Sequence, residues 1–186
     1  MQQQLKQSQN SLQTTDRNNA LVGFCEQYSP SYQMEICGNN EACFFGEYPT
    51  LVTLKLEYGK NAPLTWLIPQ LTDLAVYCGC KDKLSKEQYK ECAFVIATEF
   101  YYLKVSELML FFHRFKTGRY GRFYGSVDPL VITTAIRDFV AERASAYERH
   151  EQEERDKREQ EEKKNAMTWE EFCMKNFGEI RPNPLG

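Results

Sequence analysis

The chain has 186 residues, 42% of them apolar, and a formal net charge of −3. That is enough to bury the core of one domain with tails to spare, and the overall charge balance argues neither for nor against nucleic acid. Residues 1–140 carry 14 Lys/Arg against 14 Asp/Glu, so local clustering has to decide what the charges are for. The seven cysteines, at 25, 37, 43, 78, 80, 92 and 173, are odd in number and lack the spacing of a disulfide framework. They read as small buried thiols in a reducing compartment. There is no apolar run of signal-peptide length and no stretch near the roughly 18 apolar residues of a membrane span, so a cytoplasmic protein without a membrane partner is expected.

Residues 1–19 are rich in Gln, Asn, Ser and Thr, have little to bury, and are expected to be a disordered polar tail. Residues 20–45 are apolar in short pieces interrupted by Ser29-Pro30 and Gly38-Asn39-Asn40. They suit either a strand and turn or an irregular lead-in covering the core. A short helix is expected from Pro49, with Leu51, Leu54 and Tyr58 on one face and Gly59 as its C-terminal cap. The next helix spans Ala62 to Cys78, and its internal Pro69 predicts a kink or break near Ile68. Ser85-Lys86-Glu87-Gln88 is a capping box, followed by a stripe of Tyr89, Cys92, Ala93, Ile96 and Phe100. Ser106 is the expected cap of a further helix that turns Leu108, Met109, Phe112 and Phe115 inward and ends at Gly118. Asp128-Pro129 then starts a helix with Ile132, Ala135, Ile136, Phe139 and Val140 at helical spacing.

Beyond Ala141 no residue breaks the helix, but large apolar residues stop after Tyr147. Opposite charges three or four apart, such as Glu151 with Arg155 and Glu154 with Arg158, support a solvated helix, and the missing apolar heptad positions exclude a coiled coil. Thr168-Trp169-Glu170-Glu171 is another capping box, before an apolar face of Trp169, Phe172, Cys173 and Phe177. This short amphipathic helix either folds back on its own domain or docks into a groove on a partner.

Between Lys104 and Gly125 the basic residues Lys104, Arg114, Lys116, Arg119 and Arg122 face a single acid, Glu107. Tyr120, Phe123 and Tyr124 are interleaved with them, and Gly118, Gly121 and Gly125 let the backbone bend. Cations that neutralise phosphates beside rings that stack on bases are the components of single-strand binding. The competing reading is structural, with rings plugging the end of the core and arginines snorkelling outward. GRYGRFYG lacks the Gly-Lys-Ser/Thr ending of a phosphate loop, and Asp128 occupies the helix N-terminus an anion would need. Cys78-Gly79-Cys80 with Cys92 and His113 has the wrong spacing for zinc and reads as buried thiols. Neither His113 nor His150 has a partner that spacing identifies as catalytic. No catalytic residue, metal or cofactor is therefore expected.

The strings TWLIPQLTDL (65–74), YYLKVSELML (101–110) and above all FFHRFKTGRYGRFYGSVDPLVIT (111–133) resemble a family of uncharacterised small helical proteins from bacteriophages and bacterial mobile elements, over about Phe45–Arg143. The resemblance brings no catalytic residue with it and implies a setting near replication or DNA-transfer genes.

The resulting expectation is an all-α protein. A polar tail (1–19) leads into a compact multi-helix domain (20–147, core 45–147). A charged, solvent-exposed helical arm (148–165) and a C-terminal amphipathic helix with its tail (166–186) follow. The function expected is that of a non-enzymatic accessory factor of phage or mobile-element DNA replication or transfer. Single- or double-stranded DNA would sit on Arg114, Lys116, Arg119, Tyr120, Arg122 and Tyr124. A protein partner, for instance a replication protein, would sit on Trp169, Phe172 and Phe177. The alternative is a protein-interaction, assembly or regulatory adaptor with no nucleic-acid binding.

Overall fold

The computed structural model describes residues 2–79, 84–121, 123 and 126–178, with side chains from residue 15 onward and without that of Phe177. The protein is all-α, and among the described residues there is no strand. Two units are distinguished, Met1–Arg143 and Ala144–Gly186.

In the first unit, α1 (Gln2–Gln27) takes in the polar stretch expected to be disordered. Its C-terminal end is anchored by Phe24, buried and packed against the rings of Tyr28 and Tyr58 at 4.7 and 5.5 Å. Once one end of a helix is held, each added residue gains a hydrogen bond, and Gln and Leu resist helix formation little. Residues 20–45 are likewise helical rather than extended. After α1 come a single 3₁₀ turn at Pro30–Tyr32, α2 (Gln33–Ile36) and α3 (Asn40–Phe45). Asn39 caps α3 by accepting from the Ala42 N–H.

Helix α4 (Leu51–Tyr58) starts two residues later than Pro49 suggested, because Thr50 is its cap and accepts from the Thr53 N–H. Pro49 instead offers its carbonyl to the Val105 N–H. Helix α5 (Ala62–Tyr77) is one continuous helix through Pro69, against the expected break. Pro69 is on the exposed side. The buried side of the same turn is held by Trp66 Nε1 and Gln70 Nε2, which both donate to the Tyr28 carbonyl at 2.9 and 2.8 Å. These anchors bracket the proline and offset its missing hydrogen bond.

Helix α6 (Lys86–Glu99) carries the full Ser85/Gln88 capping box and buries Cys92, Ala93 and Ile96. Helix α7 (Val105–Lys116) is the centre of the unit, with every residue from Val105 to Phe112 buried. A helix buried all round its first two turns lies inside a core, and α7 packs against α2, α3 and α5. Its cap is not Ser106. Glu107 Oε2 accepts from the Lys104 N–H at 2.9 Å, so the cap is Lys104 and the helix begins two residues earlier. Ser106 is instead buried and donates to the Cys43 carbonyl at 2.8 Å.

Buried Glu107 also accepts from Arg143 Nε at 2.7 Å, and Lys104 Nζ donates to the carbonyls of Phe44 and Gly46 at 2.8 and 3.0 Å. Gly46 is required for close approach, since a Cβ there would lie 2.4 Å from the Ala42 carbonyl oxygen. Asp128 Oδ1 accepts from the Leu130 N–H and starts α8 (Pro129–Asn165), whose first part buries Ile132, Ala135, Ile136 and Phe139.

The second unit holds the rest of α8 and α9 (Trp169–Phe177). Residues 151–165 are exposed apart from Glu154. Lys157 pairs with Glu154 at 2.9 Å and holds that carboxyl below its usual range. Among the described residues no helix is long and apolar enough to cross a membrane.

Candidate functional site: the corner loop and the C-terminal helix

The corner is built where α7 ends and the chain turns toward α8. Gly118 and Gly121 adopt φ of 82° and 96°, which a side chain would disfavour, and they let the chain reverse in a few residues. The reversal lays Tyr120 on the ring of Phe111 (5.6 Å, 27°) and Phe123 on that of Phe115 (5.2 Å, 31°). The rings thus close the end of the core. Burial pushes the Tyr120 phenol up.

The cations of this corner converge on carboxylates of the same unit. Arg114 Nη1 and Arg119 Nε bond the two oxygens of Glu142 at 3.0 and 2.9 Å, and the Tyr120 hydroxyl donates to Glu142 at 3.3 Å. The Arg114 guanidinium lies within 5.7 and 5.9 Å of the ring centres of Phe44 and Phe139. Arginine held between aromatic faces and a carboxylate is fixed by both. Lys116 Nζ is paired with Asp73, donates to Gln33 Oε1 at 2.7 Å, and lies 5.6 Å from the centre of the Tyr77 ring. Gln33 in turn donates to Gln70 at 2.7 Å, so Lys116 belongs to a polar chain that reaches the Tyr28 carbonyl.

Of the six residues expected to contact nucleic acid, Arg114, Arg119 and Tyr120 are therefore gathered around one acid, and Lys116 is placed apart from them against α5. Arg122 and Tyr124 lie outside the described residues, as does Cys80 of the Cys78-Gly79-Cys80 string. The sequence reading missed Glu142, Asp73 and Gln33. One signal for Glu142 was present: the buried positions Ile132, Ala135, Ile136 and Phe139 of α8 continue at helical spacing to Glu142 and Arg143. Charges on an inward stripe need partners. Among the described residues no group of three His, Cys, Asp or Glu side chains could hold a metal.

In the second unit, α9 has the capping box expected of it. The Glu171 N–H donates to Thr168 Oγ1 at 3.2 Å, and the Thr168 N–H donates to Glu171 Oε2 at 2.9 Å. Gly178 closes the helix in the left-handed conformation, φ 68°. The apolar face is divided: Cys173 is fully buried, while Trp169 and Phe172 stack at 5.7 Å and keep 38% and 42% of their surface exposed. Met167 and Met174 are exposed beside them at 47% and 56%. The side chain of Phe177 lies outside the described residues.

Fold and site together define a helical domain whose corner cations bond carboxylates of the same unit, followed along the chain by a charged helical stretch and a capped amphipathic helix. Residues 83–180 match a family of unknown function, DUF6633, and the chain belongs to that family. The match runs from the start of α6 through the corner, the arm and α9, beyond the Phe45–Arg143 stretch that carried the resemblance to phage and mobile-element proteins. No curated protein and no solved structure matches the chain.

Proposed function

We propose that the protein is a non-enzymatic adaptor that captures a protein partner on α9, with the corner loop serving to lock its helical domain. The observation that carries this reading is the exposed cluster Met167, Trp169, Phe172 and Met174 on a short, doubly capped helix at the end of a charged arm. Contiguous large apolar side chains held at the surface are the usual anchors of helix-in-groove recognition. The family match includes the arm and α9, so this helix belongs to what the family shares. A cytoplasmic setting, and a partner drawn from replication machinery of a phage or mobile element, are the finer form of the same proposal.

A competing proposal keeps the nucleic-acid role, with DNA on Arg114, Lys116, Arg119, Tyr120, Arg122 and Tyr124. It is supported by the 52% exposure of the Arg119 side chain. It requires phosphates to displace Glu142 and Asp73 from cations they already pair with, which weakens the counterion-release gain that drives such binding.

Affinity purification of the full chain from its native host, with and without nuclease and beside a Trp169→Ala/Phe172→Ala variant, separates the two. The adaptor reading expects the same protein in both nuclease arms and its loss from the double variant, whose far-ultraviolet circular dichroism confirms folding. Recovery that vanishes with nuclease, or that is unchanged in the double variant, overturns it.

A further inference from the structure

A second surface, built without any residue of α9, lies in the first unit between α6 and the start of α8. Helix α6 packs its inner side on α5 and buries Cys92, Ala93 and Ile96. On another side Gln88, Glu91, Val95 and Glu99 recur three, four and four residues apart, and all four are exposed. Across from them stand Leu130, Thr133 and Arg137, at the same helical spacing in the first turns of α8. The two rows are the walls of a groove of about 460 Å³. Its apolar surface is held in solvent, with Leu130 68% exposed and Val95 41%. The charges are sorted by wall. The α6 wall carries Glu91 and Glu99 and no cation, and the α8 wall carries Arg137 and no acid. Asp138 follows Arg137 about 100° further round the helix and does not line the groove. Among the described residues no ion pair within the chain engages Glu91, Glu99 or Arg137.

We propose that this groove is the contact between two copies of the chain, which pair about a two-fold axis running along it. Such an axis sets the α6 wall of each copy against the α8 wall of the other, so the same contact is made twice. The acids Glu91 and Glu99 of one copy then meet Arg137 of the other, while Leu130 packs against Val95 across the interface. A groove with acids on both walls would repel its own copy and call for a basic partner from a different protein. Opposite signs on opposite walls, neither satisfied within the chain, make this face complementary to itself. Taking Leu130 and Val95 out of water supplies attraction, and the ion pairs fix which walls meet. Both walls lie within residues 83–180, so the face belongs to the stretch that matches the family. The groove is short, and a modest dissociation constant of about 1–100 µM is expected.

The test is sedimentation velocity of the full-length chain over a concentration series reaching about 200 µM, under a reducing agent so that no disulfide links the copies. The expected mass rises toward that of a dimer. Leu130→Glu sets a carboxylate against the acidic α6 wall of the other copy and should raise the dissociation constant at least about tenfold. Arg137→Glu alone, and Glu91→Arg with Glu99→Arg in a second variant, should each do the same. An equimolar mixture of those two charge variants should recover the dimer, because each wall again meets its opposite. Far-ultraviolet circular dichroism checks that each variant is folded. Should one fail to fold, amide exchange in the unsubstituted chain decides: residues 88–100 and 129–137 should become better protected as concentration rises. A chain that stays monomeric throughout leaves the face to a different protein and overturns the inference. So does a dimer that survives Leu130→Glu, one lost only in Trp169→Ala/Phe172→Ala, or a mixture that does not recover.

Discussion

The corner loop and α9 look alike in sequence, each a short aromatic stretch with charges and a glycine, and they are used in opposite ways. In the corner, Tyr120 and Phe123 lie on core rings and Arg114 and Arg119 share one carboxylate. On α9, Trp169 and Phe172 stack on each other and keep about two-fifths of their surface in solvent. Composition alone does not separate a lock from an interface. The position of the counter-charges does, because a cation already paired has less to gain from a phosphate.

The comparison predicts its largest contrast in stability. Phe111 is fully buried and touches Phe112, Phe115, Tyr120 and Phe139, so it ties the corner to the core. Phe111→Ala should cost about 3–5 kcal/mol, read as a large drop in the denaturant midpoint of the chain. A loss below roughly 1 kcal/mol would mean that the corner rings are not packed as a plug.

How far the sequence carries depends on the range of the interaction. The capping boxes at Ser85 and Thr168 and the cap at Asp128 were legible because donor and acceptor lie within three residues. Ser106 misled for the same local reason, since a serine before a helical stripe resembles a cap until the buried Cys43 carbonyl claims its hydroxyl. Pro69 signalled a break, but its neighbours Trp66 and Gln70 are tied to Tyr28, which lies 38 and 42 residues away. The corner was legible as residues and not as a state. Arg114, Lys116 and Arg119 find their acids 28, 43 and 23 positions along the chain, and only the fold brings Glu142 and Asp73 to them. In α1 the signal was absent, because residues 1–19 carry no apolar periodicity and their helix is inherited from the anchored end at Phe24.

The next effect in size sharpens the contrast by removing the shared acid. Glu142→Gln leaves Arg114, whose side chain is only 15% exposed, without its counter-charge, while Arg119 at 52% is largely compensated by water. The cost should be roughly 1–2 kcal/mol, between that of a surface pair and a fully buried one. It should appear as a lower melting temperature. A gel-shift titration of the same variant with single-stranded DNA probes the lock directly. No salt-sensitive binding is expected if the cations serve the fold, and binding that appears only in Glu142→Gln would show Glu142 standing in for a phosphate.

The smallest effect is confined to the second unit. Thr168→Ala removes the side-chain oxygen that accepts the Glu171 N–H, at a cost of about 1 kcal/mol to α9. Amide hydrogen exchange over 168–177 should rise, while the midpoint reported by the first unit moves by less than about 0.5 kcal/mol. Thr168→Ser restores the acceptor and should restore protection. If α9 docks as a helix, the helix must re-form on binding, so Thr168→Ala should weaken partner capture about fivefold although Thr168 presents no apolar surface. Unchanged capture together with raised exchange would mean that the partner reads Trp169 and Phe172 in an extended segment, and the helix-in-groove form of the adaptor reading would fall.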